Sequence, residues 1–263
     1  MVELAIPQAQ TPPPRRRLGR TVFILPSLFT VGNIFCGFYA IISTMHGNYD
    51  HAARAIGIAI ILDMLDGRIA RLTNSATGFG LQLDSLADVI SFGVAPAILA
   101  LVWGLSAVDQ RLAWIAAFTF MICGAMRLAR FNLQAGNLKH FVGLPIPAGG
   151  GAIAAIVHYF FGIPIDNRIS ATCMVITVFA LALLMVSTIR YSSLKDLALG
   201  RKSHFTILFI ALLVALIYQY DRWTLLAIAA SYCLSGILLR IYGLLRHKKA
   251  AEDAVPADSL EHS

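Results

Sequence analysis

Residues 52–104 read AARAIGIAIILDMLDGRIARLTNSATGFGLQLDSLADVISFGVAPAILALVWG. Two apolar runs, 52–72 and 83–104, flank a connection, TNSATGFG, whose composition marks a loop. Each run is near the roughly 20 residues that a helix needs to cross a bilayer. The stretch therefore predicts an antiparallel helical hairpin in a membrane. It also carries Asp63, Asp66, Asp84 and Asp88 in or beside its apolar helices. Each such carboxylate costs roughly 2.5–3.5 kcal/mol at the bilayer centre, so four together demand compensation.

Outward from the hairpin the same apolar pattern recurs. An apolar run from Val22 to about Met45 is longer than a signal-peptide core and has no small-residue cleavage site, so it predicts a first membrane helix. Further runs at about 112–132, 147–163, 170–189, 205–220 and 223–244 bring the total to about eight spans. Composition agrees: 58% of the 263 residues are hydrophobic and 13% charged, with a mean hydropathy of +0.73. Soluble domains carry about a quarter charged residues. The expected architecture is an all-α, polytopic transmembrane bundle spanning residues 21–245. A flexible Pro- and Arg-rich tail (1–20) precedes it and a polar tail (246–263) follows.

Eight spans put both termini on one side. Of the 21 basic residues, only Arg54, Arg111, Arg168 and Arg222 then fall on the opposite side. The positive-inside bias places both termini in the cytoplasm. The net charge of +7 is thus spent flanking hydrophobic runs, with no basic, aromatic-interleaved stripe for nucleic acid. Cys36, Cys123, Cys173 and Cys233 are widely spaced in apolar stretches and form no CxxC pair, which points to packing rather than zinc or disulfides.

The spacing of the four acids indicates how they are compensated. Asp63 and Asp66 are three apart, and Asp84 and Asp88 four apart, so each pair shares a helix face. A hairpin lets all four converge, where one or two divalent cations would neutralise them. Oxygen-only ligands favour a hard ion, Mg²⁺ or Mn²⁺. Two other readings stay open on spacing alone. Arg68 and Arg71 would form structural salt bridges, although two arginines cannot balance four acids. Alternatively, the carboxylates would line a cation or proton pathway, as in transporters.

The segment from Asp63 to Asp88 reads Asp63-x2-Asp66-Gly67-x2-Ala70-Arg71-x8-Gly80-x3-Asp84-x3-Asp88. It resembles, at every specified position, the signature of the CDP-alcohol phosphotransferases. The resemblance implies metal binding by Asp63, Asp66, Asp84 and Asp88, with Asp88 also the proton acceptor. It further implies CDP-lipid contacts from Gly67, Arg71 and Thr77, while Gly80 shapes the turn into the next helix. These residue types suit the chemistry. Divalent metal offsets diphosphate charge as CMP departs. Glycine admits a nucleotide close to the backbone, and arginine grips phosphate oxygens in a fork.

Three further stretches resemble the bacterial serine-using branch of that family, the phosphatidylserine synthases. They are LPSLFTVGNIFCGF (25–38), MRLARFNLQ with FVGLPIPAGGG (126–134 and 141–151), and MVSTIRYSSLKDL (185–197). Ser27 departs from the asparagine of the family pattern. The resemblance implies CDP-diacylglycerol and L-serine as substrates and a multi-pass enzyme in the bacterial cytoplasmic membrane. It also implies an active site facing the cytoplasm and a possible homodimer. A sibling acceptor, glycerol phosphate or inositol phosphate, is the alternative. Asn33 is a candidate CDP-lipid contact, although it and Thr30 equally suit bonding between helices. Arg127, Arg130 and Asn132 are candidates to hold the acceptor: two arginines on one face match a carboxylate. They also suit interfacial anchoring. The basic cluster from Arg190 to Lys202 suits anionic lipid head groups.

Overall fold

Helices form along the long apolar runs, and no strand occurs among the described residues of the computed structural model, which are 21–72, 78–134, 143–163, 165, 167–189 and 221–252. Seven helices lie within them: α1 (Thr21–Met45), α2 (Tyr49–Leu72), α3 (Gly78–Gly104), α4 (Gln110–Gln134), α5 (Ile146–Tyr159), α6 (Arg168–Val186) and α7 (Asp221–Glu252). The span expected at 205–220 lies outside the described residues, as do the tail 1–20 and the basic segment 190–202.

Among the described residues, four segments are long and apolar enough to cross a membrane: Leu28–Met45, Gly78–Gly104, Gln110–Leu133 and Arg168–Val186. The described residues are therefore all-helical, and the chain is membrane-bound. Of the expected spans outside these four, α2 and α5 differ for physical reasons. The α2 helix has the length, but Asp50, Arg54, Asp63, Asp66, Arg68 and Arg71 dilute its apolar character. The α5 helix has 14 residues, about 21 Å at 1.5 Å per residue, short of a hydrocarbon core of about 30 Å. Two others run longer than expected: α3 begins at Gly78 rather than 83, and α7 continues to Glu252 rather than 244.

Local chemistry sets several boundaries. The α1 helix ends in a left-handed Gly47 (φ 74°), with Asn48 N–H donating to Ser43 O at 2.8 Å and Gly47 N–H to Thr44 O at 3.0 Å. This is the Schellman pattern, and it turns the chain straight into α2. Asp109 Oδ1 accepts from Arg111 N–H at 3.0 Å at the start of α4, and Asn167 Oδ1 accepts from Ile169 N–H at 3.0 Å at the start of α6. Both satisfy amides that a helix start leaves unpaired.

The helices approach through small residues, as membrane helices do when apolar burial alone does not drive association. Ala40, Ala52, Ala55, Ala59, Ala95, Ala100 and Ala116 are buried where α1, α2, α3 and α4 meet. The α1 helix packs against both α2 and α3, α5 fills the space between α2 and α7, and α4 packs on α6. A Cβ at Gly37 would sit 2.8 Å from Ser91 Cα, so only glycine permits the α1–α3 approach there. In α3 the helix widens to i+5 turns at Val89–Val94 and Ala100–Gly104, on either side of Pro96. Proline removes a donor from the ladder, and such wide turns absorb the misfit. In the first of them Ser91 Oγ donates to Asn33 O at 2.9 Å, tying α3 to α1.

A second junction joins the end of α4, the turn before α5 and the end of α6. Gly143 (φ 85°) donates its N–H to Ile189 O at 2.8 Å, and Leu144 N–H donates to Leu184 O at 3.0 Å. Arg130 reaches the same place, with Nη1 3.3 Å from Val186 O. A cation there complements the negative end of the α6 dipole and its unpaired carbonyls.

Candidate metal and substrate site

Asp63 and Asp66 lie on α2, with Asp84 and Asp88 on α3, and the fold brings all four to one place. One carboxylate oxygen each from Asp63, Asp66 and Asp84 lies within 4.8 Å of the others. Asp88 completes the group, its carboxyl in hydrogen-bonding contact with that of Asp63. The hairpin differs from a simple antiparallel pair. The acid-bearing turns of α2 and Gly78–Asp88 of α3 do not pack closely backbone to backbone; both lean on α1 instead. The carboxylates thus face each other across a gap.

Burial makes this gathering chemically demanding. Asp66 and Asp88 are buried and Asp63 and Asp84 are half-buried. Thr30 Oγ1, on α1, donates to Asp66 Oδ2 at 3.1 Å. By contrast, Asp84 Oδ1 and Asp88 Oδ1 are buried with no hydrogen-bond partner, and among the described residues no ion pair reaches any of the four aspartates. Arg68 is exposed, so the salt-bridge reading finds no support from it. Buried polar groups are almost always paired, and an unpaired one calls for a ligand or ion. Converging, incompletely paired carboxylate oxygens fit a hard divalent cation. The site residues fit such a group.

Other predicted residues surround this cluster. Asn33 is fully buried, and neither its Oδ1 nor its Nδ2 has a partner. It lies one turn beyond Thr30 on α1. A Cβ built at Gly67 meets nothing within 4 Å, so the flank of α2 there is open to a ligand. Arg71 lies in the last turn of α2, but its side chain, like the whole of Thr77, lies outside what is described.

The three acceptor candidates on α4 separate in role. Arg127 is buried (7% exposed), its guanidinium 5.7 Å from the centre of the Phe131 ring, and its Nε has no partner. Asp88 and Tyr232 of α7 are near enough to act on it electrostatically. Arg130 is engaged with the carbonyls at the end of α6. Asn132 Nδ2 donates to Ser85 Oγ at 2.8 Å, which places it beside Asp84 on α3. Ser85 escapes a reading of the sequence because it stands at an unspecified position of the signature, and only the fold shows that Asn132 reaches it.

A second polar group, at the other end of α2, also has no signal in the sequence. Asp50 Oδ1 accepts from His158 Nδ1 at 2.6 Å, and its Oδ2 pairs with Arg54 Nη2 at 3.0 Å. Asp50 and His158 are both buried, and 108 residues separate them.

Residues 23–186 match the family described as CDP-alcohol phosphatidyltransferase. A CDP-diacylglycerol–serine O-phosphatidyltransferase of Helicobacter pylori (strain ATCC 700392 / 26695) is 35% identical over 231 residues, covering 86% of this chain and 91% of that protein. One of the same name from Bacillus subtilis (strain 168) is 36% identical over 171 residues, 65% of this chain and 91% of that protein. An archaetidylserine synthase of Methanothermobacter thermautotrophicus is 39% identical over 175 residues, 65% of this chain and 71% of that protein.

Proposed function

This chain belongs to the CDP-alcohol phosphatidyltransferase family, and from that premise we propose that it transfers the phosphatidyl group of CDP-diacylglycerol to L-serine, giving phosphatidylserine and CMP. The observation that carries the reading is the convergence of Asp63, Asp66 and Asp84 within 4.8 Å, with unpartnered oxygens on Asp84 and Asp88 beside it. Relatives named for serine as the acceptor, two of them matched over 91% of their length, support the choice among acceptors.

In this reading Asp63, Asp66, Asp84 and Asp88 hold one or two divalent cations, Mg²⁺ or Mn²⁺, which supply neutralising charge for the diphosphate and the departing CMP. The open flank at Gly67, with Arg71 and Thr77 nearby in sequence, receives the nucleotide end of the lipid, and the Asn33 amide offers it a donor and an acceptor. The serine hydroxyl attacks the lipid-side phosphorus directly. A new P–O bond forms, the bond to CMP breaks, and Asp88 takes the hydroxyl proton as attack proceeds. Arg127 holds the acceptor's carboxylate, and Arg130 and Asn132 support that end of the site through the α6 carbonyls and Ser85.

The setting we propose is the bacterial cytoplasmic membrane, with eight spans and both termini, hence the carboxylate cluster, on the cytoplasmic side. Assembly as a homodimer is the family's expectation for this chain. Release of CMP from CDP-diacylglycerol by the purified protein, with added metal and a panel of acceptor alcohols, tests the function. Serine-dependent CMP release is expected. Turnover of glycerol phosphate or inositol phosphate without turnover of serine would contradict the acceptor assignment.

A further inference from the structure

Thr30 and Asn33 lie one turn apart on α1, where the Thr30 hydroxyl bonds to α2 and the Asn33 carbonyl to α3. The two acid-bearing segments lean on this helix rather than closely on each other. We propose that Thr30 is a positioning residue for the metal: by holding Asp66 Oδ2, its hydroxyl fixes how the Asp66 carboxylate is presented to Asp63 and Asp84, and so sets the affinity for a divalent cation. This rests on the metal site proposed above.

The direction of the bond carries the inference. Thr44, Thr119, Thr172 and Thr177 each return the hydroxyl to the carbonyl four residues back in the same helix, at 2.7–2.8 Å. Such local bonds ask nothing of another helix. Thr30 donates to a carboxylate 36 positions along the chain, at 3.1 Å, and both partners are buried. The support beneath the donor is close-packed. A Cβ at Gly32 would sit 3.3 Å from Leu62 Cδ1, so α1 and α2 meet tightly beside Asp63.

An aspartate needs such a hold if it is to serve a cation. The torsion that turns its carboxylate has broad minima, so packing alone leaves the plane of the group free to rotate. One oxygen of Asp66 lies within 4.8 Å of one from Asp63 and one from Asp84, and like charges so placed push each other aside. A donor on Oδ2 opposes that swing and leaves lone pairs on the carboxylate for a cation. At 3.1 Å the bond is long for a hydroxyl on a carboxylate, so it steers the group without neutralising it. Carboxylates that bind metal are themselves held by hydrogen bonds, and losing such a partner weakens metal binding or activity by about 10–100-fold.

The test is a titration of the full-length protein in detergent micelles with Mn²⁺ alone, the free ion being read by electron paramagnetic resonance. Thr30→Val keeps the shape of the side chain and removes the donor, so its Mn²⁺ dissociation constant should rise by about 10–100-fold. Thr30→Ser restores the donor and should bind Mn²⁺ nearly as the wild type does. Thr44→Val makes the same change on the same helix, at a hydroxyl bonded within it, and should leave Mn²⁺ binding where it was. In CMP release, the half-saturating Mn²⁺ concentration of Thr30→Val should rise with the dissociation constant, and activity at saturating Mn²⁺ should largely return. Where Thr30→Val does not fold, Thr30→Ala adds no bulk and decides by the same criterion. Unchanged Mn²⁺ binding in the folded variant would overturn the inference and leave the metal site standing. Equal weakening in Thr30→Ser or Thr44→Val, the mark of a general packing effect, would overturn it too. A wild type that binds no Mn²⁺ would overturn the metal site itself, and the Thr30 assignment with it.

Discussion

The two ends of α2 carry two buried polar groups of opposite character. At its start, Asp50 gives one oxygen to His158 and the other to Arg54, and the group is closed. Some 13 to 16 residues on, about 20 Å along the helix, Asp63 and Asp66 meet Asp84 and Asp88 with oxygens to spare. The Asn33 amide and Arg127 Nε stand unpaired around them. A satisfied cluster in a low-dielectric interior holds helices together. An unsatisfied one is stable only with something bound. The difference separates the part of the molecule that holds α2 to α5 from the part for which we propose the chemistry.

Substitutions can break this contrast, and their expected effects fall in order of free energy. Replacing His158 by Ala or Asp50 by Asn leaves a buried charge or acceptor without its partner and should cost about 3–5 kcal/mol of stability. Denaturation of the purified protein would show it, while the protein that remains folded keeps its turnover per molecule. Asp84→Ala should act the other way round. It should lower CMP release by on the order of 10²–10³-fold, as loss of preorganised charge does. Without metal its stability should match or exceed that of the wild type, because one like charge is gone from the cluster. Equal loss of stability in Asp50→Asn and Asp84→Ala would erase the distinction between the two ends.

Smaller effects sharpen it. Arg130→Gln should lower stability by about 1 kcal/mol through the α6 terminus, and move the serine KM less than Arg127→Lys does. Asn33→Leu removes an amide that makes no side-chain hydrogen bond among the described residues. Its stability should therefore stay near that of the wild type, since replacing an unpaired polar group by an apolar one removes a desolvation cost. The KM for CDP-diacylglycerol should rise. A large loss of stability in Asn33→Leu would mean that the amide serves packing.

Most of the helical order was legible because membrane spans announce themselves as apolar runs of fixed length. The α1, α4 and α6 helices fall within a few residues of expectation. The α5 helix was overextended because the FGIP segment continues its apolar composition, whereas the helix itself stops at Tyr159. The acid cluster was legible because charge in an apolar helix is costly and its i+3 and i+4 spacing fixes a face. What α1 does between α2 and α3 was not, since Gly37 and Ser91 carry no pattern of their own. Asp50 reads as a loop acid until the Gly47 turn puts it in the first turn of α2 against His158. The roles of Arg127 and Arg130 separate only once the end of α6 is seen to occupy one of them.

If the four aspartates form a metal-dependent site for phosphatidyl transfer, turnover must follow both the metal and the carboxylates. CMP release from CDP-diacylglycerol, followed in wild type, Asp63→Ala and Asp84→Ala while Mn²⁺ is titrated in and then chelated, tests it most directly. The wild type should gain activity with Mn²⁺ and lose it with chelator, and both variants should stay near background at every concentration while remaining inserted and folded. Full activity in either variant, or in the wild type under excess chelator, would contradict the account.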